Sequence, residues 1–498
     1  MPENIYDYSR PFDVHTWSEH PQLLEAQKFL YAELFGSKKN EKRYKDLRVV
    51  LVDLYKCHLE APEMYLGYHR GHDRYHADSR YNKIHISFRP LIAVIDALLA
   101  NGYIEGVDGF INRVTGISRT ARMKALPKLI NFIECCTEDN SRRPIPPHAI
   151  YRHPDEEVII LKDAEKNLME YVDTPETNRM RDELRAYNTL LENTFIDIDL
   201  VGYPKSVRID TTNKRARRIF NNGTFDEGGR FYGGWWQNVK KELRERIMMG
   251  ETDKPTIEID YKAIHINLLY HREGIDYFGT YGADADPYLV RTCEDENEKD
   301  IWRNFYKLVL LVCLNSSSQL AARRAVWSTI RTDEEKHAYP VMQNHDEIHQ
   351  AIEAFEQLHA PITRYFYSGV GLQLQRIDSM IAEKVISLFI REGLPVLCIH
   401  DSFICTTRDS NHLEDVIKSA MQETIREQDD EWRNCPITPL TKTTDRRMIT
   451  QERFDTDNPF CEYTLEQMIE DHDANGSYEP RITKWREEKA QEIISYNI

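Results

Sequence analysis

The run Pro395-Val396-Leu397-Cys398-Ile399-His400-Asp401-Ser402-Phe403-Ile404-Cys405 constrains this chain more than any other. Apolar residues flank a polar His-Asp-Ser tip, the pattern of a buried β-hairpin that presents one carboxylate at its turn. A second strand candidate, Thr256-Ile257-Glu258-Ile259-Asp260-Tyr261, also ends on an Asp and leads into a helical run from Ala263 to Tyr270. Either Asp alone is what a turn or a helix cap uses. At the ends of neighbouring strands, two Asp can instead hold two divalent ions about 4 Å apart, the arrangement that serves in-line phosphoryl transfer. Mg2+ suits that work, with Mn2+ as a substitute, because it binds through one or two carboxylates plus phosphate and water.

Other patterns share this chemistry. In Arg303-Asn304-Phe305-Tyr306-Lys307 the two cations fall one helical turn apart on one face, where they can grip a triphosphate. Upstream lies Asp226-Glu227-Gly228-Gly229-Arg230-Phe231-Tyr232, followed closely by Trp235-Trp236-Gln237. The adjacent tryptophans read as core residues, with base stacking as the alternative. Before the hairpin, Gln375, Arg376 and Asp378 open an amphipathic helix with Ile381, Val385 and Phe389 on its buried face, stopped at Gly393-Leu394-Pro395.

In their order these elements resemble the catalytic core of the family A DNA polymerases and the phage-type single-subunit RNA polymerases, over roughly residues 200 to 410. Asp260-Tyr261 and the helix after it look like motif A. His400-Asp401-Ser402 looks like motif C in the RNA polymerase form. Arg303 and Lys307 match the Arg-x-x-x-Lys fingers helix, and Asp226 to Arg230 match the D-x-x-G-R element. The resemblance implies that Asp260 and Asp401, with the backbone carbonyl of Tyr261, bind two metal ions. It implies that Arg303 and Lys307 hold the triphosphate, with Lys307 protonating the departing pyrophosphate, and that Arg230 and Arg376 contact nucleic acid. His400 would brace the primer end or orient Asp401. Three departures stand out. His265 occupies the place of the Glu that excludes a ribose 2′-hydroxyl. Leu311 and Asn315 replace the aromatic and the tyrosine that end the fingers motif. The chain before residue 200 lacks the carboxylate pattern of a 3′-5′ exonuclease, so proofreading is not expected.

With 498 residues, 41% hydrophobic and 30% charged, the chain should form more than one globular domain. The expected fold class is α+β: a right-hand polymerase with palm, fingers and thumb-like helices, and an N-terminal, mainly helical, winged-helix-like domain. The expected divisions are residues 1–150, 151–200 for a pair of thumb-like helices, and 201–498 for palm and fingers. In the first, the spacing from His85 to Leu99 predicts a helix stopped by Asn101-Gly102, then a hairpin in which Phe110 to Val114 pairs back. Arg119 and Arg122 on that wing are expected to touch DNA. His69, His72 and His76 are read as surface or stacking residues rather than a metal site.

The net charge is −17, yet the span from Tyr203 to Arg246 carries eleven basic residues against five acidic ones. Such a stripe suits either a polyanion channel or a solvated face. Nine scattered Cys without a CxxC pair, no apolar run of membrane length and no basic-then-apolar start predict a cytoplasmic chain with reduced thiols. The expected function is template-directed nucleotide addition to a primer on a DNA template from dNTPs or NTPs, with a DNA polymerase or primase-polymerase favoured over a single-subunit-type RNA polymerase. Two rivals remain: a non-catalytic replication initiator on the same fold, and a two-metal nuclease, which would have no triphosphate for Arg303 and Lys307 to hold.

Overall fold

The computed structural model describes residues 5–72, 75–111, 118–137, 139, 141–146, 149–200, 209, 211–250, 256–332, 339–428, 437–444, 481–483 and 485–487. It is a mixed α+β structure with two hydrophobic cores. One core draws on residues from Leu23 to Ile150 and the other on residues from Val158 to Ile437.

Around the first core, the helices Pro21–Phe35, Glu41–Glu60, Phe88–Ala100 and Pro127–Glu134 pack with a four-stranded sheet. The strand order is Ser9–Pro11, Tyr65–Tyr68, Ala121–Ala125, Ile104–Val107, so the helices of this unit share their core with a sheet. Phe88–Ala100 ends where expected, at Asn101 and the left-handed Gly102. The hairpin differs from the sequence reading. Ile104–Val107 pairs with Ala121–Ala125, while Phe110 and Ile111 make a small tip ladder with Arg119 and Ser118. Burial decides the register. Ala121, Met123 and Ala125 alternate into the core, whereas Phe110 and Ile111 are 46% and 76% exposed. Residues 112–117, including Val114, lie outside the described residues, as do Lys205, Arg208, Asp210, Cys435 and Cys461.

Between residues 151 and 200 there is one helix, Pro175–Glu192, not two. Thr174 caps it in a reciprocal pair with Thr177, and Pro175 fits the first turn. Asp163 to Leu168 instead turns back on itself. The Asp163 carboxylate accepts the Asn167 backbone N–H at 2.7 Å, and Lys166 is left-handed at φ 69°. A local side-chain-to-backbone bond thus displaces the helix that the apolar spacing suggested.

The second core carries two sheets that matter for function. In the first, Gly228–Tyr232, Arg217–Phe220 and Ile159–Leu161 lie side by side under the helix Gly371–Glu392. In the second, Leu397–Ile399, Ser402–Thr406, Thr256–Tyr261 and Thr441–Thr444 form an antiparallel sheet in that order. The helices Glu296–Asn315, Gln319–Thr332 and His345–Leu358 form a neighbouring layer. Among the described residues all cysteines are free, and no helix is long and apolar enough to cross a membrane.

Candidate active site

The antiparallel pairing of Thr256–Tyr261 with Ser402–Thr406 brings the two aspartates together. Asp260 faces Ser402 across the ladder, and the Tyr261 N–H points at the Asp401 carbonyl at 3.5 Å. Ile399 pairs with Ser402, leaving His400 and Asp401 as a two-residue turn. His400 adopts φ 59°, a left-handed conformation that costs a non-glycine residue about 1–3 kcal/mol. Its ring packs edge-on against Tyr232 at 5.1 Å, and its buried Nδ1 has no hydrogen-bond partner among the described residues. Burial and the nearby Arg230 charge lower the His400 pKa, which keeps the ring neutral at pH 7.

Burial and the neighbouring Asp401 and Glu258 charges push the Asp260 carboxyl up to about 7. Lys307 and Lys241 oppose that shift. Among the described residues neither the Asp260 nor the Asp401 carboxylate is tied down by a side-chain hydrogen bond or an ion pair. Glu258, two residues before Asp260 on the same face of its strand, accepts from the Ser402 hydroxyl at 2.9 Å and from Arg244 at 3.2 Å. The third letter of His-Asp-Ser is therefore a strand-to-strand tie. The Tyr261 hydroxyl is buried and donates to the Ile417 carbonyl at 2.5 Å.

Helix Glu296–Asn315 supplies the cations. Arg303 is paired with Asp286, and its guanidinium carbon lies 5.4 Å from the centre of the Tyr288 ring. Lys307 Nζ lies 5.8 Å from the same ring. Burial and Arg303 lower the Lys307 pKa, against the pull of Asp286 and Asp260. Asp286 and Tyr288, missed in the sequence, come from the segment before this helix, and Tyr288 is 9% exposed. Only their proximity to Arg303 in space marks them.

Arg230 is committed inside the protein. It donates from Nε to both Asp378 oxygens at 3.0 Å, and Asp378 is 2% exposed. His265 Nε2 sits 2.9 Å from the same carboxylate and 3.4 Å from Arg230. An Nε2–H tautomer donating to Asp378 satisfies this geometry. The glycines before Arg230 serve the sheet rather than a bound strand. Gly228 and Gly229 are left-handed at φ 76° and 80°, at a register shift opposite Ile219 and Phe220, and a Cβ on Gly229 would lie 2.6 Å from the Phe220 ring.

The remaining sequence candidates scatter. Arg376 contacts Ser379 at 3.4 Å, and burial together with Arg218 pulls its pKa down to about 10. Trp235 and Trp236 are 4% and 1% exposed, so neither is a stacking platform, and Trp236 donates to the Cys398 carbonyl at 3.1 Å. Arg119 lies over Tyr6 and Phe110 at 4.8 and 5.2 Å, far along the chain from the aspartates. Arg122 turns inward to the carbonyls of Tyr6 and Thr120. Leu311 is 54% exposed, and Asn315 closes its own helix by donating to the Leu311 carbonyl at 2.8 Å. His72 packs on Phe88. The basic stripe is not one face: Arg215, Arg218, Arg230 and Arg244 are paired with Glu192, Glu383, Asp378 and Glu258.

Among the described residues no cluster of three or more His, Cys, Asp or Glu side chains is arranged to hold a metal ion. Asp260 and Asp401 still fit Mg2+, which is content with one or two carboxylates when phosphate and water fill the other positions. The like-charge strain on Asp260 is what a cation would relieve.

No protein-family model matches the chain, and no curated protein matches it. Among solved structures it is similar to the POL domain of Pol1 from M. smegmatis in complex with DNA primer-template and dNTP, at 12% identity and a TM-score of 0.26. The match covers 54% of this chain and 51% of that one, about half of each. A likeness at that level specifies neither a fold nor an activity.

Proposed function

We propose that the chain is a template-directed nucleotidyltransferase that adds nucleotides to a primer 3′-hydroxyl, a small DNA polymerase or primase-polymerase. The observation that carries this reading is the meeting of two unpaired strand-end carboxylates, Asp260 and Asp401, with the Arg303/Lys307 face of one helix. In this reading the sheet holding the aspartates acts as the palm, and the helices from Glu296 to Leu358 act as fingers. Pro175–Glu192 acts as a thumb-like element, and residues 1–150 form a winged-helix-like DNA-binding domain.

Asp260 and Asp401 are the residues that would hold Mg2+. When bound, the ions lower the pKa of the attacking hydroxyl and offset charge on the triphosphate. Arg303 and Lys307 align the β- and γ-phosphates, so that the hydroxyl meets the α-phosphorus in line. The new bond is from the 3′-oxygen to the α-phosphorus, and the bond that breaks leaves pyrophosphate. A Lys307 with a lowered pKa gives up its proton more readily to that leaving group. His265, held by Asp378 beside Arg230, faces the sugar. The ion pairs at Arg230 and Arg303 make both guanidinium groups rigid before substrate arrives.

The test is extension of a labelled primer-template with Mg2+, supplying dNTPs and NTPs separately and omitting the primer in a parallel lane. Growth that Asp401→Asn abolishes supports the proposal, and the lane that grows identifies sugar and primer requirement. No growth in any lane, with template still bound, would leave the non-catalytic initiator as the better reading.

A further inference from the structure

Most of the cations in the basic stripe are spoken for, but Arg217 and Lys240 are not. Both are exposed, and neither makes an ion pair among the described residues. They line one groove of about 1100 Å³ between the N-terminal unit and the second core. Arg10 to His15, Lys56, Glu60 and Arg152 also line it. The acids Asp13 and Glu60 of this lining are already bound by Arg152 and Arg10. Glu242 on the rim is the one acid of the groove with no ion pair among the described residues.

The floor includes Trp235, which is 4% exposed and whose indole Nε1 has no acceptor among the described residues. The same turn connects the groove to the aspartates. Trp236 holds the hairpin through the Cys398 carbonyl, and the charge of Lys241, next to Lys240, acts on Asp260. Gly234 makes this turn possible, because a Cβ there would lie 2.2 Å from the Trp236 ring.

We infer that this groove binds a single-stranded nucleic acid by its phosphodiester backbone and leads it toward Asp260 and Asp401. The destination rests on the polymerase reading; the binding does not. A chain with a net charge of −17 repels a polyanion over most of its surface, so two cations without ion pairs among the described residues, against the single unpaired acid Glu242, set a local preference in this cleft. Arg10 and Arg152 are each neutralised by two carboxylates, Asp53 and Glu60 for the first and Asp13 and Glu156 for the second, so the attraction comes from Arg217 and Lys240. The Trp235 indole Nε1 is buried beneath the groove, so it does not itself reach a bound strand. The groove reads the backbone alone, so it discriminates little between base sequences.

The experiment uses the full chain and fluorescence anisotropy of 5′-fluorescein-labelled 20-mers of dT and of rU, titrated at several salt concentrations. Arg217→Glu/Lys240→Glu is expected to weaken binding at least tenfold in low salt. It should also flatten the log–log salt slope by about 1.4, from two phosphate contacts at about 0.7 each on a single strand. Both side chains are exposed, so the melting temperature should stay at the wild-type value; Arg217→Gln/Lys240→Gln, which adds no negative charge, should weaken binding by a smaller factor with the same change of slope. Wild-type affinity and slope in both double variants, with either oligonucleotide, overturn the proposal. The oligonucleotide that loses affinity identifies the sugar of the bound strand. Loss of oligonucleotide binding in a protein that never extends a primer keeps the groove and removes the polymerase reading. Primer extension together with unchanged binding by the groove variants does the reverse.

Discussion

Asp260→Asn should make the protein more stable while removing its activity. A carboxyl whose pKa is higher folded than unfolded binds an extra proton in the folded state. That advantage is complete below the unfolded value near 4 and is lost as pH rises through about 7. Above pH 7 the wild type therefore holds a charged Asp260 against burial, Asp401 and Glu258. A shift of about three units at 1.36 kcal/mol each sets an upper bound of about 4 kcal/mol. Because the strain is shared with Asp401, about 2–4 kcal/mol is the expected gain for the neutral, isosteric Asn. For a cooperative unit of about 250 residues this is a rise of roughly 4–8 °C in Tm. The assay is thermal unfolding in EDTA at pH 7.5 and at pH 5, where the gain should shrink to less than half. Millimolar MgCl2 should then stabilise the wild type more than the variant, since a ligand that binds only the folded state raises its stability. A variant that melts at or below the wild-type temperature at pH 7.5 would refute the idea that Asp260 is a strained carboxylate awaiting a cation.

Three further outcomes are expected. Lys307→Ala should lower kcat by about 10²-fold or more, as for loss of a general acid, and the remaining activity should lose its alkaline limb; an unchanged pH profile would take proton donation away from Lys307. His265→Ala should relax discrimination between dNTPs and NTPs, and an unaltered ratio in single-nucleotide addition would remove it from the sugar gate. Arg119→Ala should weaken duplex binding and reduce the salt slope by about 1 if the Phe110 tip meets phosphate; an unchanged slope would mean that Arg119 only covers Tyr6 and Phe110.

Much of the site could be read from the sequence because it is built from short, strongly patterned elements. The apolar alternation of Thr256–Tyr261 and the polar tip between Leu397–Ile399 and Ser402–Thr406 each specify a strand and its turn. Helix Gly371–Glu392 was marked by its buried face and by the left-handed Gly393 that ends it. Where local chemistry competes with periodicity, the structure departs from what the apolar spacing predicts. Asp163 captured a backbone N–H and made a turn, and Ala121–Ala125 outcompeted Phe110 and Ile111 for the core side of the hairpin. Asp286 and Tyr288 carry no motif, and nothing along the chain ties them to Arg303.

The sequence by itself determined which residues sit at strand ends and on helix faces: Asp260, Asp401, and Arg303 with Lys307. These follow from periods of 2 and 3.6 residues and from turn chemistry, which act over a few residues. Only the tertiary structure decided which charges face one another. It joined Arg230 to Asp378 across 148 positions and set Glu258 under Ser402 across 144. It placed four cations of a nominal basic stripe, Arg215, Arg218, Arg230 and Arg244, in ion pairs and set two exposed ones, Arg217 and Lys240, on a groove. The physical reason is that Coulomb energy and desolvation depend on distance and burial in space, and neither can be read from separation along the chain.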